Sequence, residues 1–390
     1  MTLPIIAIDL SGLDQLWPGA GLYRYTVDLL HALRNLVPLA RFVVLGAYAE
    51  PIDDLKPVFK WARGSWEYLH LPRTTGFAAS YRDHVRLFAA LARVRADLCH
   101  CLHMFVPAMA PCPVVVTLQD LMFELFPEYV KAVHSRPYRI LKWCTRRRAR
   151  RVICPSQSTA NDLARFWEVP RHRIDVVPHG LRAFNASTEA IAEPSQQALK
   201  GLRLGPVLTS PLNLEPRKNL ITLLEAFALL RPRFPTAQLL LYGRGGWSDD
   251  REQKHRADVA RLRLTDAIVE PGVLTDADLW WVYRRSTLFV FPTLYEGFGY
   301  PGLEAMAAAT CCVVRGCSSM AEVVGPAGVQ VEPLTPSSLA EAIAGLLLDE
   351  PRRRRLGEEG RIRAARFTSE RMAQGTFDAY LRALRWVRPS

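Results

Sequence analysis

Phe291 to Thr310 reads FPTLYEGFGYPGLEAMAAAT. Its reading decides the fold: an apolar strand runs into a turn dense in Gly and Pro, and the turn feeds a helix of small residues. A turn at the carboxyl end of a parallel strand, opening on a helix N-terminus, offers backbone N–H groups and a positive dipole end to an anion. Glu296 and Glu304 lie eight positions apart, with Glu296 ahead of the helix. In a continuous helix that spacing would amount to about 12 Å at 1.5 Å per residue. A two-carboxylate hydrolase needs roughly 5 to 9.5 Å. The spacing therefore points to two acids holding different parts of one long ligand. Gly297, Gly299, Pro301 and Gly302 let backbone come close to it.

Outward from this stretch, short β-rich apolar runs alternate with amphipathic helical stretches, the pattern of parallel α/β sheets covered by helices on both faces. In the first half the strands are Ile5 to Leu10, Phe42 to Gly46, Trp66 to Leu71, Leu98 to Leu102, Val114 to Leu118, Val152 to Cys154 and Ile174 to Val177. The clearest helix is Leu22 to Val37, with Val27, Leu30, Leu33, Leu36 and Val37 on one face. The segment from Arg182 to Gly201 is polar and strand-poor and reads as a linker. A second series follows at Val207 to Ser210, Gln238 to Tyr242, Ala267 to Val269, Thr287 to Phe291, Cys311 to Arg315 and Val329 to Val331. The expected fold class is α/β, with two Rossmann-like parallel-sheet domains in tandem. The first covers residues 1–185, the linker 186–200 and the second domain 201–370.

The 390 residues are 49% hydrophobic and 23% charged, which excludes extensive disorder, collagen and disulfide scaffolds. No apolar run reaches the roughly 18 to 20 residues of a membrane-spanning helix, and Met1 to Gly12 reads as a buried strand rather than a signal peptide. The eight cysteines show no CxxC spacing and read as reduced thiols. Lys and Arg number 50 against 38 Asp and Glu, giving +12, a surplus that asks for an acidic partner. It is concentrated in residues 1–185, where 24 basic side chains face 15 acidic ones. Within that half, Tyr129 to Arg151 carries Val130, Val133, Tyr138, Leu141 and Trp143 ahead of Arg146, Arg147, Arg148, Arg150 and Arg151. The pattern is that of a basic helix against an anionic membrane surface, the alternative being a solvated helix end. No nucleic-acid motif accompanies the charge, so a nucleic-acid partner is not expected. The full GxGxxG pattern is absent, which argues against a dehydrogenase. Asp276 and Asp278 follow Thr275 as a helix N-terminus rather than an Asp-x-Asp metal site, and no metal is expected.

The Glu296/Glu304 stretch resembles the YEGFGLPVLEAMA segment of retaining glycosyltransferase family 4. Further similarities follow in order: GAGLYRYTVDLL, with Gly21, Arg24 and Tyr25, to the family's first glycine-bearing loop; VVVTLQDLMF to VVVTIHDLSF; VVPHG to VVPNG; LEPRKNLITLLEAF to IEPRKNLxxLLEAF; then LLLYGRGGW and the tail through FTSERMA. The resemblance spans essentially the whole chain. It implies the GT-B fold, two Rossmann-like domains facing across a cleft, with a final helix, here 371–390, crossing back to the first domain.

The resemblance also implies roles. Arg217 and Lys218, at the start of the second domain's first helix, would meet the donor diphosphate, whose charge grows as the sugar leaves. Many relatives carry an Arg in the preceding turn where Leu212 and Asn213 stand here, which shifts weight onto Arg217. Glu304 would bind the ribose hydroxyls, and Glu296 with the backbone at Phe298 and Gly299 the transferred sugar. Gly243, with Gly245 and Gly246, would border the nucleotide; Gly21 and Gly19 would approach the phosphates from the first domain. On the acceptor side stand Gln119 and Asp120, with His103 as a further candidate. Gln119 departs from the family's His; an amide binds a hydroxyl but is no base near neutral pH. In the family's usual retaining scheme the departing phosphate helps deprotonate the acceptor, so the exchange need not abolish activity. Arg352 to Arg355 reads as a solvated surface helix.

The expected function is a metal-independent retaining glycosyltransferase, locally most similar to bacterial mannosyltransferases of surface polysaccharide assembly such as lipopolysaccharide. GDP-mannose is the first donor guess, a lipid-linked glycan the acceptor, and the cytoplasmic face of the inner membrane the place of work. A soluble transferase using another UDP- or GDP-sugar on a small metabolite, and a catalytically silent GT-B partner subunit, are the alternatives.

Overall fold

The computed structural model describes residues 4–10, 21–38, 40–60, 65–71, 79–103, 106–127, 136–181, 194–200, 202, 205–244 and 248–385. The chain forms two compact units, Met1–Arg182 with Phe367–Ser390, and Ala183–Arg366.

In the first unit seven strands make one parallel sheet: β1 (Ile5–Asp9), β2 (Arg41–Gly46), β3 (Trp66–His70), β4 (Leu98–Cys101), β5 (Val114–Thr117), β6 (Ala149–Cys154) and β7 (Ile174–Val176), in the order β3-β2-β1-β4-β5-β6-β7. The helices between them are α1 (Gly21–Leu36), α2 (Lys56–Lys60), α3 (Ala79–Arg93), α4 (Met122–Leu125), α5 (Arg136–Arg148) and α6 (Gln157–Phe166). Alternate strand residues face opposite sides. Ala7, Val43, Cys99, Val114, Val116 and Val152 pack on Leu87, Ala90 and Leu91 of α3, Cys144 of α5 and Ala160 and Leu163 of α6. On the other side, Thr117 of β5 bonds both Tyr25 of α1 and His100 of β4.

In the second unit six strands form another parallel sheet: β8 (Val207–Pro211), β9 (Gln238–Tyr242), β10 (Ile268–Gly272), β11 (Leu288–Phe291), β12 (Cys312–Arg315) and β13 (Val329–Val331), ordered β10-β9-β8-β11-β12-β13. Its helices are α7 (Gln197–Lys200), α8 (Leu220–Leu230), α9 (Asp249–Arg261), α10 (Asp276–Arg285), α11 (Tyr300–Ala307), α12 (Ser318–Val324), α13 (Pro336–Leu348) and α14 (Glu350–Ala364). The last helix, α15 (Ser369–Leu384), returns to the first unit, where it packs on α1. Tyr380 of α15 meets Nδ1 of His100 at 2.7 Å, and Arg382 pairs with Asp175 at 2.8 Å.

Every expected strand is present, and both sheets share the order 3-2-1-4-5-6 at their cores, with the reversal falling at β1/β4 and β8/β11. Some details differ from the sequence reading. Leu36, placed on the buried face of the first helix, is 37% exposed at its last turn. Among the described residues the basic stretch is helical from Arg136 to Arg148; Ala149 to Arg151 already belong to β6, and Val130 and Val133 lie outside the described residues. Residues 182–193 of the linker region also lie outside them, whereas Ser195 is bonded to Asp278 and Gln197–Lys200 is helical. Thr275 caps α10 by accepting the N–H of Asp278, as its sequence predicts. None of the eight cysteines is in a disulfide. No helix among the described residues is long and apolar enough to cross a membrane.

Candidate active site

In open parallel α/β sheets, ligands bind beyond the carboxyl ends of the strands where strand order reverses. In the second unit that point lies between β8 and β11, and the loops leaving these two strands carry the residues singled out above. Pro216–Lys218 is one turn of 3-10 helix rather than the start of α8, and Asn219 caps it in left-handed conformation, φ 55°. The two loops are stitched together. Leu294 donates its N–H to the Arg217 carbonyl at 2.7 Å, and Asn219 Nδ2 donates to the Pro292 carbonyl at 3.2 Å.

This stitching delivers both cations to Glu296. Lys218 Nζ lies 2.6 Å from Glu296 Oε1, Arg217 Nη1 lies 3.4 Å from the same oxygen, and the Thr293 hydroxyl donates to it at 2.9 Å. The Glu296 backbone is held as firmly: Ser318 Oγ accepts its N–H and Ser319 Oγ donates to its carbonyl. Burial alone would raise the Glu296 carboxyl, but Lys218 and Arg217 outweigh it and hold the group below its ordinary range. Arg217 is also engaged by Glu215 at 2.7 Å and by the Tyr295 carbonyl at 3.1 Å. Two cations and two carboxylates thus neutralise one another, and the cations are preorganised against Glu296.

Glu304 sits on the first turns of α11, 3% exposed, and its Oε2 accepts from the Tyr283 hydroxyl at 3.0 Å. Tyr242 lies 2.6 Å from Tyr283. A hydroxyl has one proton, so Tyr242 donates to Tyr283 and Tyr283 to Glu304. Burial keeps the Tyr283 phenol far above its usual range, hence neutral and a donor. Neither tyrosine stands out in the sequence; only the fold brings β9, α10 and α11 together there. Gly299 opens α11 at φ 98°, and a Cβ there would come within 2.2 Å of Met320 Sδ. Only glycine fits. Phe298 is buried beside Tyr300, the ring centroids 5.4 Å apart. Gly243 ends β9 at φ 112°, next to the Leu212 carbonyl; Gly245 and Gly246 lie outside the described residues.

In the first unit the remaining candidates share the carboxyl edge of the sheet. Gly21 is the first residue of α1, exposed, and Gly19 lies outside the described residues. His103 follows β4, and Gln119 and Asp120 follow β5. Asp120 Oδ1 accepts the Met122 N–H at the start of α4. Gln119 Oε1 lies 2.7 Å from Nε2 of His179, which follows β7. His179 thus joins these candidates: the sequence carries it openly, in VVPHG, but only the structure reveals its contact with Gln119.

These two sheets and this site define a glycosyltransferase of the GT-B type. Residues 20–183 match the sequence profile described as Glycosyltransferase Family 4, and residues 205–363 that of Glycosyl transferases group 1. O-antigen chain mannosyltransferase B of Escherichia coli is 29% identical over 281 residues, 68% of this chain and 69% of that one. The serotype-specific mannosyltransferase WbdA of Escherichia coli is 26% identical over 76% of this chain, which spans only 38% of WbdA. The crystal structure of HepE from Anabaena with UDP and glucose superposes with a TM-score of 0.72 at 19% identity, covering 97% of this chain and 100% of that one. The chain belongs to glycosyltransferase family 4, and resembles its bacterial mannosyltransferases.

Proposed function

We propose that this protein transfers a hexose, mannose from GDP-mannose in the first instance, from a nucleotide-sugar donor to a lipid-linked glycan of a bacterial surface polysaccharide, with retention at the anomeric carbon and without a metal. The observation that carries the reading is the Arg217–Lys218–Glu296 cluster at the β8/β11 reversal. A departing nucleoside diphosphate gains negative charge, and fixed cations that need not reorganise stabilise it as it forms. Lys218 has three N–H donors; one faces Glu296, and the ammonium lies 5.4 Å from the Phe291 ring. Glu296 then contacts the sugar's hydroxyls, and Glu304, steadied by Tyr283, the ribose. In this reading the charge of the leaving group falls to Arg217, Lys218 and the α11 N-terminus rather than to a metal ion.

Support for a membrane-borne acceptor comes from α5. Ile140 and Trp143 are each 50% exposed on this helix, beside exposed Arg139, Arg146, Arg147 and Arg148, and Arg148 lies over the Trp143 ring. Arg151, by contrast, is committed to Asp175, at 2.5 to 2.6 Å through two nitrogens, and so is structural. Apolar side chains flanked by arginines suit the interface of an anionic bilayer, here the cytoplasmic face of the inner membrane.

The test is a panel of GDP- and UDP-sugars assayed for binding and slow hydrolysis, with and without chelator, and with Lys218→Ala and Glu304→Ala. Selective GDP-mannose turnover, indifferent to chelator and lost in both variants, is expected. No donor bound, or variants as active as the parent, would sink the reading.

A further inference from the structure

Gln119 and His179 are polar positions at which VVVTLQDLMF and VVPHG exchange the family's His and Asn for other side chains, and in the structure they are bonded to one another. Gln119 follows β5 and His179 follows β7, on the same edge of the sheet. Gln119 Oε1 sits 2.7 Å from His179 Nε2. An amide oxygen can only accept, so Nε2 of His179 carries the proton. The NH2 of Gln119, the donor end of the side chain, is buried and has no partner among the described residues.

The imidazole is itself fixed. It is 2% exposed, and the Tyr25 ring packs on it with centroids 4.5 Å apart and planes at 41°. Tyr25 in turn is pinned by the Thr117 hydroxyl at 2.9 Å, and Thr117 by His100 Nε2 at 2.8 Å. Burial drives the His179 imidazolium pKa down to about 3, so the ring stays neutral at working pH. It cannot serve as a switch or as a cation.

We propose that His179 is a positioning residue: it holds the Gln119 carboxamide oxygen inward, so that the first unit presents amide N–H donors, and no base, to an oxygen of the bound sugar or acceptor. This rests on the glycosyl-transfer reading for what is bound, but not for the geometry. The consequence is a preference for a ligand oxygen that accepts, such as a ring or carbonyl oxygen or a hydroxyl whose own proton is used elsewhere.

A long-range proton–nitrogen NMR spectrum of the full chain labelled with nitrogen-15 tests the geometry without activity. The His179 ring is expected as the Nε2–H tautomer, unchanged between about pH 5.5 and 8. An Nδ1–H tautomer, or titration in that range, overturns the proposal. With GDP-mannose and octyl α-mannoside as probes, His179→Ala is expected to slow transfer roughly tenfold, the worth of one hydrogen bond. GDP-mannose binding should be unchanged. His179→Gln, which keeps an N–H at that place, should restore transfer, while Gln119→Glu, which keeps an oxygen toward His179 but loses the N–H donors, should be as slow as His179→Ala. Full activity in Gln119→Glu overturns the proposal. If the parent turns over no donor at all, the glycosyl-transfer reading fails and the tautomer still decides the role of His179.

Discussion

Lys218 Nζ meets Glu296 Oε1 at 2.6 Å although 78 positions separate them in the chain. The carboxyl is held below its ordinary range, so its stabilising contribution is present above the ordinary glutamate pKa, about 4.3, and is lost as pH falls through the lower folded value. Lys218→Ala removes the main opposing charge and leaves burial to raise the carboxyl. At pH 7 the variant should lose about 1.5 to 3 kcal/mol, the range for a hydrogen bond to a charged group. Denaturant unfolding should show the gap between parent and variant narrowing toward pH 4; a constant gap contradicts the assignment.

Tyr283→Phe removes the donor to Glu304 and leaves Tyr242 facing a bare ring edge. Nucleotide binding should weaken by about five- to tenfold, as for one lost hydrogen bond, with turnover of bound donor little changed. Calorimetric titration with GDP and UDP reads this directly. Equal affinity in parent and variant would show that the tyrosine does not steady the carboxylate.

His100 and His179 make the first unit acid-sensitive. Burial holds both near a pKa of about 3, whereas an unfolded histidine titrates near 6.5. Between these values the unfolded chain binds more protons than the folded one, so stability falls as pH drops. Each histidine contributes up to about 1.4 kcal/mol per pH unit. Unfolding free energy measured from pH 7 to 5 should decline, and His100→Gln should flatten the slope by about half of the histidine contribution. An unchanged slope contradicts the buried-neutral assignment.

Trp143→Asp with Ile140→Asp should abolish flotation with anionic vesicles, and Arg147→Glu should weaken it by roughly 1 to 2 kcal/mol. Binding should also fade as salt is raised. Flotation on neutral vesicles, or persistence at high salt, would exclude α5 as an electrostatic contact.

The sheets were legible because parallel strands buried on both faces are short continuous apolar runs, and Val114 to Leu118 or Leu288 to Phe291 can hardly be anything else. Glu296, Glu304, Arg217 and Lys218 were legible as motifs, since each stands in or beside a turn whose glycines and prolines announce it. What the order of residues hides is who faces whom. That Arg217 is already engaged by Glu215, that Tyr242 and Tyr283 steady Glu304, and that Gln119 rests on His179 all depend on strands brought together by the sheet. The misplaced Leu36 has a simpler cause: helical periodicity marks a face but cannot show where the neighbouring layer stops.

The chain leaves the first unit beside the point where it comes back: Leu181 donates its N–H to the Phe367 carbonyl at 3.0 Å and bridges Thr368, and a Cβ on Gly180 would lie 2.3 Å from the Thr368 backbone. Topologically, then, the second unit is an excursion that starts and ends at one doorway, and the first unit is a single domain interrupted once. Excising residues 182–366 and closing the gap with a short glycine-rich connector should leave a sheet and α15 able to fold alone, measurable as a cooperative melt. Gly180→Ala, which crowds the doorway itself, should prevent it.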